Sequence, residues 1–206
     1  PDGADTLKFN KKFKNVSKLK KKYNIPPYNH IVSYQGGVSR HEGLDLLCYA
    51  AEYVLKVSKN VTFLIVGRGE FLDFCKEIVH RKKLEKNFIF TGWLDQRHLP
   101  ELISSVDVSV VPMPKVRASK PIISFKLLEA MASGVKIVAS DTPGIKEIVT
   151  DKEVFLTNVS NKRLFAETIL RACKSDGKEK IKYSEKKIRN LDWRSIAKKD
   201  YSYLFN

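Results

Sequence analysis

Residues 125–141 have the sequence FKLLEAMASGVKIVASD, and this stretch says more about the fold than any other part of the chain. Its first half predicts a helix, and Gly134 is a residue that commonly ends one. The apolar run that follows predicts a short buried strand at 136–139. Because the helix leads directly into a buried strand, the stretch is typical of an α/β protein.

Apolar runs alternate with helical patterns on both sides of this stretch. The cleanest strand is Val61–Val66, with the sequence VTFLIV, which is stopped by Gly67. The predicted strands are 30–35, 61–66, 87–91, 106–111, 136–139 and 154–156. The predicted helices are 43–57, a helix from after 69 to about 83, 96–105, 125–134, a short one from about 143, 161–174, 178–190 and a last one opened at 192. This alternation predicts an α/β fold with a doubly wound parallel sheet, that is, a Rossmann-like domain.

Three segments far apart in the sequence are expected to meet in one crevice. Ligands of such sheets bind outside the carboxyl ends of the strands. The glycines Gly36 and Gly37 follow the first predicted strand, and the turn 67–69, with the sequence GRG, follows the second. The helix that carries Lys126 begins after a Pro-rich loop at the same edge. The sequence therefore predicts a binding site built from two glycine turns and one helix N-terminus.

Lys126 and Glu129 are the candidate chemical groups of this site. They are three residues apart, so a helix places them on one face. A cation near a helix N-terminus adds to the partial positive charge there and favours a bound anion. A carboxylate one turn further along can accept hydrogen bonds from sugar hydroxyls. The pair predicts a nucleotide site, with Lys126 at the diphosphate and Glu129 at the ribose; the same spacing also occurs in ordinary solvated helix pairs.

Composition is typical of a folded globular protein. The 206 residues are 43% hydrophobic and 10% aromatic, which is enough for one sizeable core. No stretch approaches the roughly 20 apolar residues that span a bilayer. Cys48, Cys75 and Cys173 show no metal-type spacing and neither do the four histidines, so we expect no metal site, cysteines packed in the core and a reducing cytoplasm.

The formal net charge of +15 leaves two kinds of partner open. Nucleic acid is one, but the lysines cluster at 8–22 and 174–187 and do not alternate with aromatic residues, so a solvated surface is favoured. Anionic lipid head groups or a phosphorylated acceptor are the other.

The segment around Lys126 resembles the nucleotide-sugar-binding segment of retaining GT-B glycosyltransferases of the GT4 kind. One branch of that family has the sequence SPNKLFEYMAAG here, and six residues match it in register: Lys126, Leu127, Glu129, Met131, Ala132 and Gly134. The resemblance implies that Lys126 and Glu129 are the catalytic residues, in a site without a metal or other cofactor. It also implies donor contacts from Leu127 and Leu128 and from the backbone at 122–125, including Ser124 and Phe125. Pro121 stands where other family members have a second glutamate.

Other segments resemble the same family and imply further donor contacts. The string at 34–40, YQGGVSR, is similar to the first glycine loop, although Gly37 and Glu42 stand where the family often has cations, so Arg40 is the candidate partner of Lys126 on the diphosphate. The turn at 67–69 implies a contact from Gly67 and Arg68. The string at 90–94, FTGWL, implies nucleobase contacts from Gly92, Trp93 and Leu94. Asp107 is expected to have a structural role at the entrance of a strand.

The resemblance covers nearly the whole chain and implies the donor-binding, C-terminal half of a two-domain enzyme. We expect a linker and lysine-rich lead-in at 1–24, the nucleotide-sugar domain at 25–190, and at 191–206 a helix that crosses back to an N-terminal acceptor domain. The implied activity is hexosyl transfer from a UDP- or GDP-sugar to a glycan or lipid-linked acceptor, in the cytoplasm or at the inner face of the membrane, with little activity for this half alone. Half of a GT-B nucleotide-sugar epimerase and a basic Rossmann-like nucleic-acid-binding module are the alternatives.

Overall fold

The strands of the computed structural model, which describes residues 3–115 and 124–202, form one parallel sheet. They are β1 (His30–Gln35), β2 (Val61–Val66), β3 (Phe88–Gly92), β4 (Val108–Val111), β5 (Lys136–Ser140) and β6 (Phe155–Thr157). Their order across the sheet is β3-β2-β1-β4-β5-β6, and every neighbouring pair is parallel. The predicted doubly wound α/β sheet is therefore confirmed. The interpretations of Pro121 and Ile122 lie outside the described residues.

The order of strands reverses between β1 and β4. From β1 the chain builds outward through β2 to β3, then returns to add β4 on the other side of β1. The backbones after β1 and β4 therefore diverge to opposite faces of the sheet, which opens a crevice at their carboxyl ends. Gly36 and Gly37 follow β1 directly and lie at this crevice.

The helices cover both faces of the sheet. They are α1 (Val16–Lys22), α2 (Leu44–Val57), α3 (Leu72–Arg81), α4 (Leu99–Ser104), α5 (Phe125–Ala132), α6 (Pro143–Ile148), α7 (Lys162–Lys174), α8 (Lys178–Ile188) and α9 (Trp193–Ser202). Short 3₁₀ turns lie at Lys11–Phe13, Arg40–Glu42, Glu85–Asn87 and Arg189–Leu191. Asn161 caps α7 as its side chain accepts a hydrogen bond from the Leu164 N–H (3.1 Å). Gly134, with φ +65°, follows the end of α5 as predicted.

Two predicted elements begin later than expected, for identifiable reasons. The strand predicted from 106 begins at Val108, because the Asp107 carboxylate accepts a hydrogen bond from the Ile31 N–H (2.8 Å) and shapes the entrance to the strand. This is the structural role expected of Asp107. The helix predicted from 96 begins at Leu99, because the Asp95 carboxylate accepts the Arg97 N–H (2.8 Å) in a turn of its own.

The sheet separates two apolar cores. One core lies under α2, α3 and α7 and contains Cys48 and Cys75, which are buried free thiols as predicted, together with Cys173, which is buried as well. The other lies under α4, α5 and α8 and contains Leu127 and Leu128. All six residues of β2 are buried, which is why this strand is a continuous apolar run in sequence.

The lysine-rich lead-in packs on the second core. Phe9 and Leu19 project into it, although they stand among the lysines of 8–22. At its start, Ala4 pairs in parallel with Asp192: the Ala4 N–H donates to the Leu191 carbonyl (2.9 Å), and the Trp193 N–H donates to the Ala4 carbonyl (3.1 Å). We name residues 4–6 and 191–194 the terminal clamp. In the described part of the chain, no helix is both long and apolar enough to cross a membrane.

Candidate functional site

A pocket of about 320 Å³ lies at the carboxyl ends of β1, β2 and β3. Six of the predicted donor-binding residues line it: Gly36, Gly37, Gly67, Arg68, Trp93 and Leu94. The sequence interpretation missed three further lining residues, which belong to no recognisable motif: Val66 at the end of β2, Gln96 in the turn after β3 and Leu99 at the start of α4. The strand order thus brings three predicted loops to one place, and their roles toward a donor stay predictions.

The floor of the pocket depends on the close approach of two glycines. A Cβ atom on Gly67 would lie 1.8 Å from the Gly36 carbonyl oxygen, and one on Gly36 would lie 3.1 Å from the Lys126 side chain. Both residues have positive φ, +126° for Gly36 and +147° for Gly67, a conformation that L side chains rarely adopt. The glycines therefore let the two turns and the lysine pack against one another.

Lys126 is a buried lysine at the edge of this floor. Its residue exposure is 8%, and its ammonium donates to the Tyr34 hydroxyl (3.3 Å) and lies 4.7 Å from the centre of the Tyr34 ring. Burial lowers the pKa of Lys126, while the Glu42 carboxylate, with which it forms an ion pair, opposes that shift. A buried lysine paired across the fold is not the solvated helix pair that its spacing with Glu129 also allowed.

The ion-pair partner of Lys126 is Glu42. Glu42 ends the turn Arg40–Glu42 and brings its carboxylate to the ammonium of Lys126. The Arg40 guanidinium instead lies over the Phe71 ring, 5.4 Å from its centre, outside the pocket lining. Arg40 thus lies against Phe71 in this structure, and its role beside Lys126 on a diphosphate stays a prediction.

Glu129 lies one turn further along α5 and is half-buried. Burial raises the pKa of Glu129 to about 7, against the opposing charges of Lys8 and Lys126. The Lys8 ammonium also donates to the Gln96 side-chain oxygen (3.2 Å), which connects Glu129 electrostatically to the wall of the pocket. The lead-in thus contributes a cation that the sequence interpretation did not assign to the site.

The other predicted residues of α5 differ in what they can offer a ligand. Phe125 is 53% exposed, whereas Ser124 is buried and its side chain does not cap the helix. Leu127 and Leu128 have fully buried side chains in the second core, and their N–H groups donate to the Ser124 carbonyl (3.0 and 3.4 Å). The side chains of Leu127 and Leu128 thus hold α5 in place, and the donor contacts implied for these two residues stay predictions.

Arg68 and Trp93 face each other across the open side of the pocket. The guanidinium lies 5.8 Å from the centre of the indole ring, and Trp93 is 59% exposed. A cation over an aromatic face is favourable and leaves the other face of the ring open to a planar ligand. The Gly92 carbonyl accepts the Gly67 N–H (2.9 Å), which ties the loop of Trp93 to the floor.

The raised pKa of Glu129 predicts a pH dependence of stability. Between pH 4.5, the ordinary value, and about 7 the folded state keeps a proton that the unfolded chain loses. The free energy of unfolding should therefore fall as the pH rises through this range. Above it, Glu129 should cause no further change. Urea unfolding at several pH values checks this, and Glu129→Gln should remove the fall.

Glu77→Gln is the matched control, since Glu77 is an exposed partner of Arg81 on α3. It should keep the wild-type profile. An unchanged slope in Glu129→Gln would show that another group causes the dependence.

Among the described residues, no three histidine, cysteine, aspartate or glutamate side chains come together in a way that could hold a metal ion. The candidate site is instead a pocket of backbone turns, with one buried ammonium, one carboxylate of raised pKa and an open aromatic face. Such a set can bind an anion next to polyhydroxylated and planar groups.

Comparisons with known proteins show the family of the chain. The family model for glycosyl transferases group 1 matches residues 29–175. In sequence, the chain is similar to the GDP-mannose-dependent alpha-(1-6)-phosphatidylinositol monomannoside mannosyltransferase of Mycobacterium tuberculosis. The two are 26% identical over 151 residues, which are 72% of this chain and 39% of that protein. The chain thus spans about two fifths of that relative's length.

Two solved structures share the fold. HepE of Anabaena, in complex with UDP, superimposes with a TM-score of 0.80 at 21% identity, over 98% of this chain and 55% of that one. The C-terminal domain of the group 1 glycosyl transferase LpcC from Francisella tularensis gives a TM-score of 0.75 at 22% identity, over 91% of this chain and 97% of that domain. The second match is nearly coextensive with this chain.

Proposed function

Because the chain belongs to the group 1 glycosyltransferases, we propose that it forms the donor-binding half of a retaining enzyme that moves a hexose-type sugar from a UDP- or GDP-sugar. The observation that carries the proposal is the buried ammonium of Lys126 next to Gly36, a residue that lines the pocket. A buried lysine next to glycine backbone at a helix N-terminus suits a diphosphate.

Each part of the site has a proposed role. Lys126 and the first N–H groups of α5 bind the diphosphate, and Glu129 accepts hydrogen bonds from the ribose hydroxyls. The turns at Gly36 and Gly67 let the nucleotide approach the backbone closely, and the loop of Trp93 meets the nucleobase. In this arrangement the charges and the aromatic face each match one part of a nucleoside diphosphate.

The proposed chemistry is transfer of the sugar: its bond to the diphosphate oxygen breaks, a bond to the acceptor's hydroxyl oxygen forms, and the proton of that hydroxyl leaves with the diphosphate. Negative charge develops on the leaving oxygen, and the Lys126 ammonium stabilises it in a site shielded from water. The proposal needs no protein-bound metal ion for this step. Lys126 is preorganised for it, since the Tyr34 hydroxyl and the packing of α5 fix its position.

This half alone is proposed to bind the donor weakly and to transfer little. Transfer requires the sugar to be held against an acceptor hydroxyl in a closed cleft. The size of the relatives supports a second half, because this chain spans 39% of the mannosyltransferase and 55% of HepE. A glycan or lipid-linked acceptor, in the cytoplasm or at the inner membrane face, completes the proposal.

Calorimetric titration with UDP, GDP, UDP-N-acetylglucosamine and GDP-mannose tests the proposed function. One diphosphonucleoside should bind, and Lys126→Ala should weaken it at least tenfold, or about 1.4 kcal/mol, because the main cation of the site is lost. Glu129→Ala should weaken it as well, through the lost ribose contacts.

Lys76→Ala is the control for lost charge, since Lys76 is an exposed partner of Asp73 on α3. It should bind like the wild type. If no nucleotide binds at millimolar concentration, or if Lys126→Ala binds as well as the wild type, the donor-site proposal is wrong. Salt-dependent binding of RNA or DNA in its place would support the nucleic-acid alternative.

A further inference from the structure

The ammonium of Lys126 already has an anionic partner. Among the described residues, Glu42 is the carboxylate that forms an ion pair with Lys126, and the Tyr34 hydroxyl (3.3 Å) is its other polar contact. An ammonium has three donors, so two of them are engaged in this structure. A diphosphate placed at Lys126 would meet a carboxylate at the same cation.

We propose that Glu42 is a resident counter-ion, an internal anion that occupies the diphosphate position and must leave Lys126 when a nucleoside diphosphate binds. This inference rests on the proposed function of the site. Two anions close to one cation repel each other strongly where water is scarce. Glu42 therefore determines specificity: it weakens each ligand in proportion to the negative charge that the ligand brings to Lys126.

The local structure allows Glu42 to move and keeps Lys126 in place. The Glu42 side chain is 30% exposed and that of Lys126 is 9% exposed. Glu42 ends a single 3₁₀ turn, and Gly43 after it has a φ of +74°. Lys126 lies on α5, whose neighbouring leucines are fully buried. A rotation of the Glu42 side chain into solvent is thus the simplest way to release the ammonium.

The resident counter-ion also opposes the loss of charge that burial favours in Lys126. Burial lowers the pKa of Lys126, and the charge and hydrogen bond of Glu42 raise it. In the unliganded site Glu42 supports the ammonium that a diphosphate later uses. When the ligand binds, its phosphate oxygens take over this support, so that the cation is paired in both states.

Glu42→Gln tests this inference directly, since glutamine keeps the shape of the side chain without its charge. We expect Glu42→Gln to bind UDP or GDP about tenfold more tightly than the wild type, to bind the monophosphate with a smaller gain, and to bind the nucleoside with no gain. The titrations use uridine, UMP, UDP and inorganic pyrophosphate, with the guanosine series alongside. Thermal unfolding of each variant confirms that it is folded.

Glu70→Gln is the matched control. Glu70 is an exposed carboxylate in the turn after β2 and forms no ion pair within the described residues. It should change the affinities little. If both variants gained equal affinity for the nucleotides, the loss of one negative charge anywhere on the protein would explain the effect, and the inference would be wrong.

The outcomes separate the two proposals. If the wild type binds a nucleotide through Lys126 and Glu42→Gln binds it equally or more weakly, the counter-ion is wrong and the donor site stands. If neither protein binds a nucleotide but Glu42→Gln binds pyrophosphate more tightly than the wild type, the counter-ion stands and the donor site is wrong. If neither protein binds a nucleotide and Glu42→Gln gains no affinity for pyrophosphate, both proposals are wrong.

Discussion

Replacing Gly67 with alanine is expected to lower the free energy of unfolding by about 3 kcal/mol or more and to abolish nucleotide binding. The added Cβ would lie 1.8 Å from the Gly36 carbonyl oxygen, which belongs to backbone and cannot move away cheaply. The φ of +147° adds strain of its own for any L side chain. Relief of the clash would separate the two turns of the pocket floor.

Chemical denaturation and calorimetry with UDP or GDP measure the two effects of Gly67→Ala. Gly37→Ala is the matched control in the same pocket, because a Cβ there meets no atom within 4 Å. The free energy of unfolding of Gly37→Ala should stay within about 1 kcal/mol of the wild-type value, because the only expected loss comes from placing alanine in a turn. Wild-type stability of Gly67→Ala would mean that the two turns can separate without penalty, contrary to the packing described.

Removal of the Asp192 carboxylate should lower the free energy of unfolding about as much as Gly67→Ala does, because it disrupts the terminal clamp. Asp192 is buried and accepts hydrogen bonds from the Thr6 N–H (3.1 Å), the Thr6 hydroxyl (2.7 Å) and the Arg194 N–H (2.9 Å), and it forms an ion pair with the Arg194 guanidinium (2.6 Å). Asp192→Ala should cost about 3 kcal/mol of unfolding free energy, because several donors lose one buried acceptor. Amide exchange at Thr6 should accelerate.

The same contacts predict how the free energy of unfolding falls at low pH. The Arg194 guanidinium, with Thr6, holds the pKa of Asp192 well below its usual range. The stabilisation is therefore fully present above the unfolded value of 3.8 and is lost as the pH falls toward the folded value. Asp192→Ala should lack this loss. Asp73→Ala, an exposed partner of Lys76, should cost less than about 1 kcal/mol, and equal costs would show that the clamp contributes nothing special.

Sequence alone predicted the parallel sheet and most of the pocket for physical reasons. Buried parallel strands tend to be nearly continuous apolar runs, so β2 is visible in the sequence as VTFLIV. Turns that bring two backbones together need glycine, so Gly36 and Gly67 were recognisable as well. The strand order then brings both turns together without further information.

Contacts between residues that are far apart in the chain could not be predicted from the sequence. Glu42 and Lys126 are 84 residues apart, and Glu42 was visible only as an unexpected residue in the glycine loop. Lys8 and Gln96 meet across 88 residues, with no motif at either end. The lead-in was interpreted as a lysine-rich linker, because single apolar residues such as Leu19 give a weak signal when they stand among many lysines.

The terminal clamp sets how the domain could be moved from outside. Ala4 and Trp193 are joined by a backbone hydrogen bond, so residues near the two ends of the described chain lie at a single corner of the domain. In the proposed two-domain enzyme, this corner would be the hinge of the domain motion. The two halves would open and close by rotation about it, and the mouth of the cleft would travel furthest at the points most distant from Asp192.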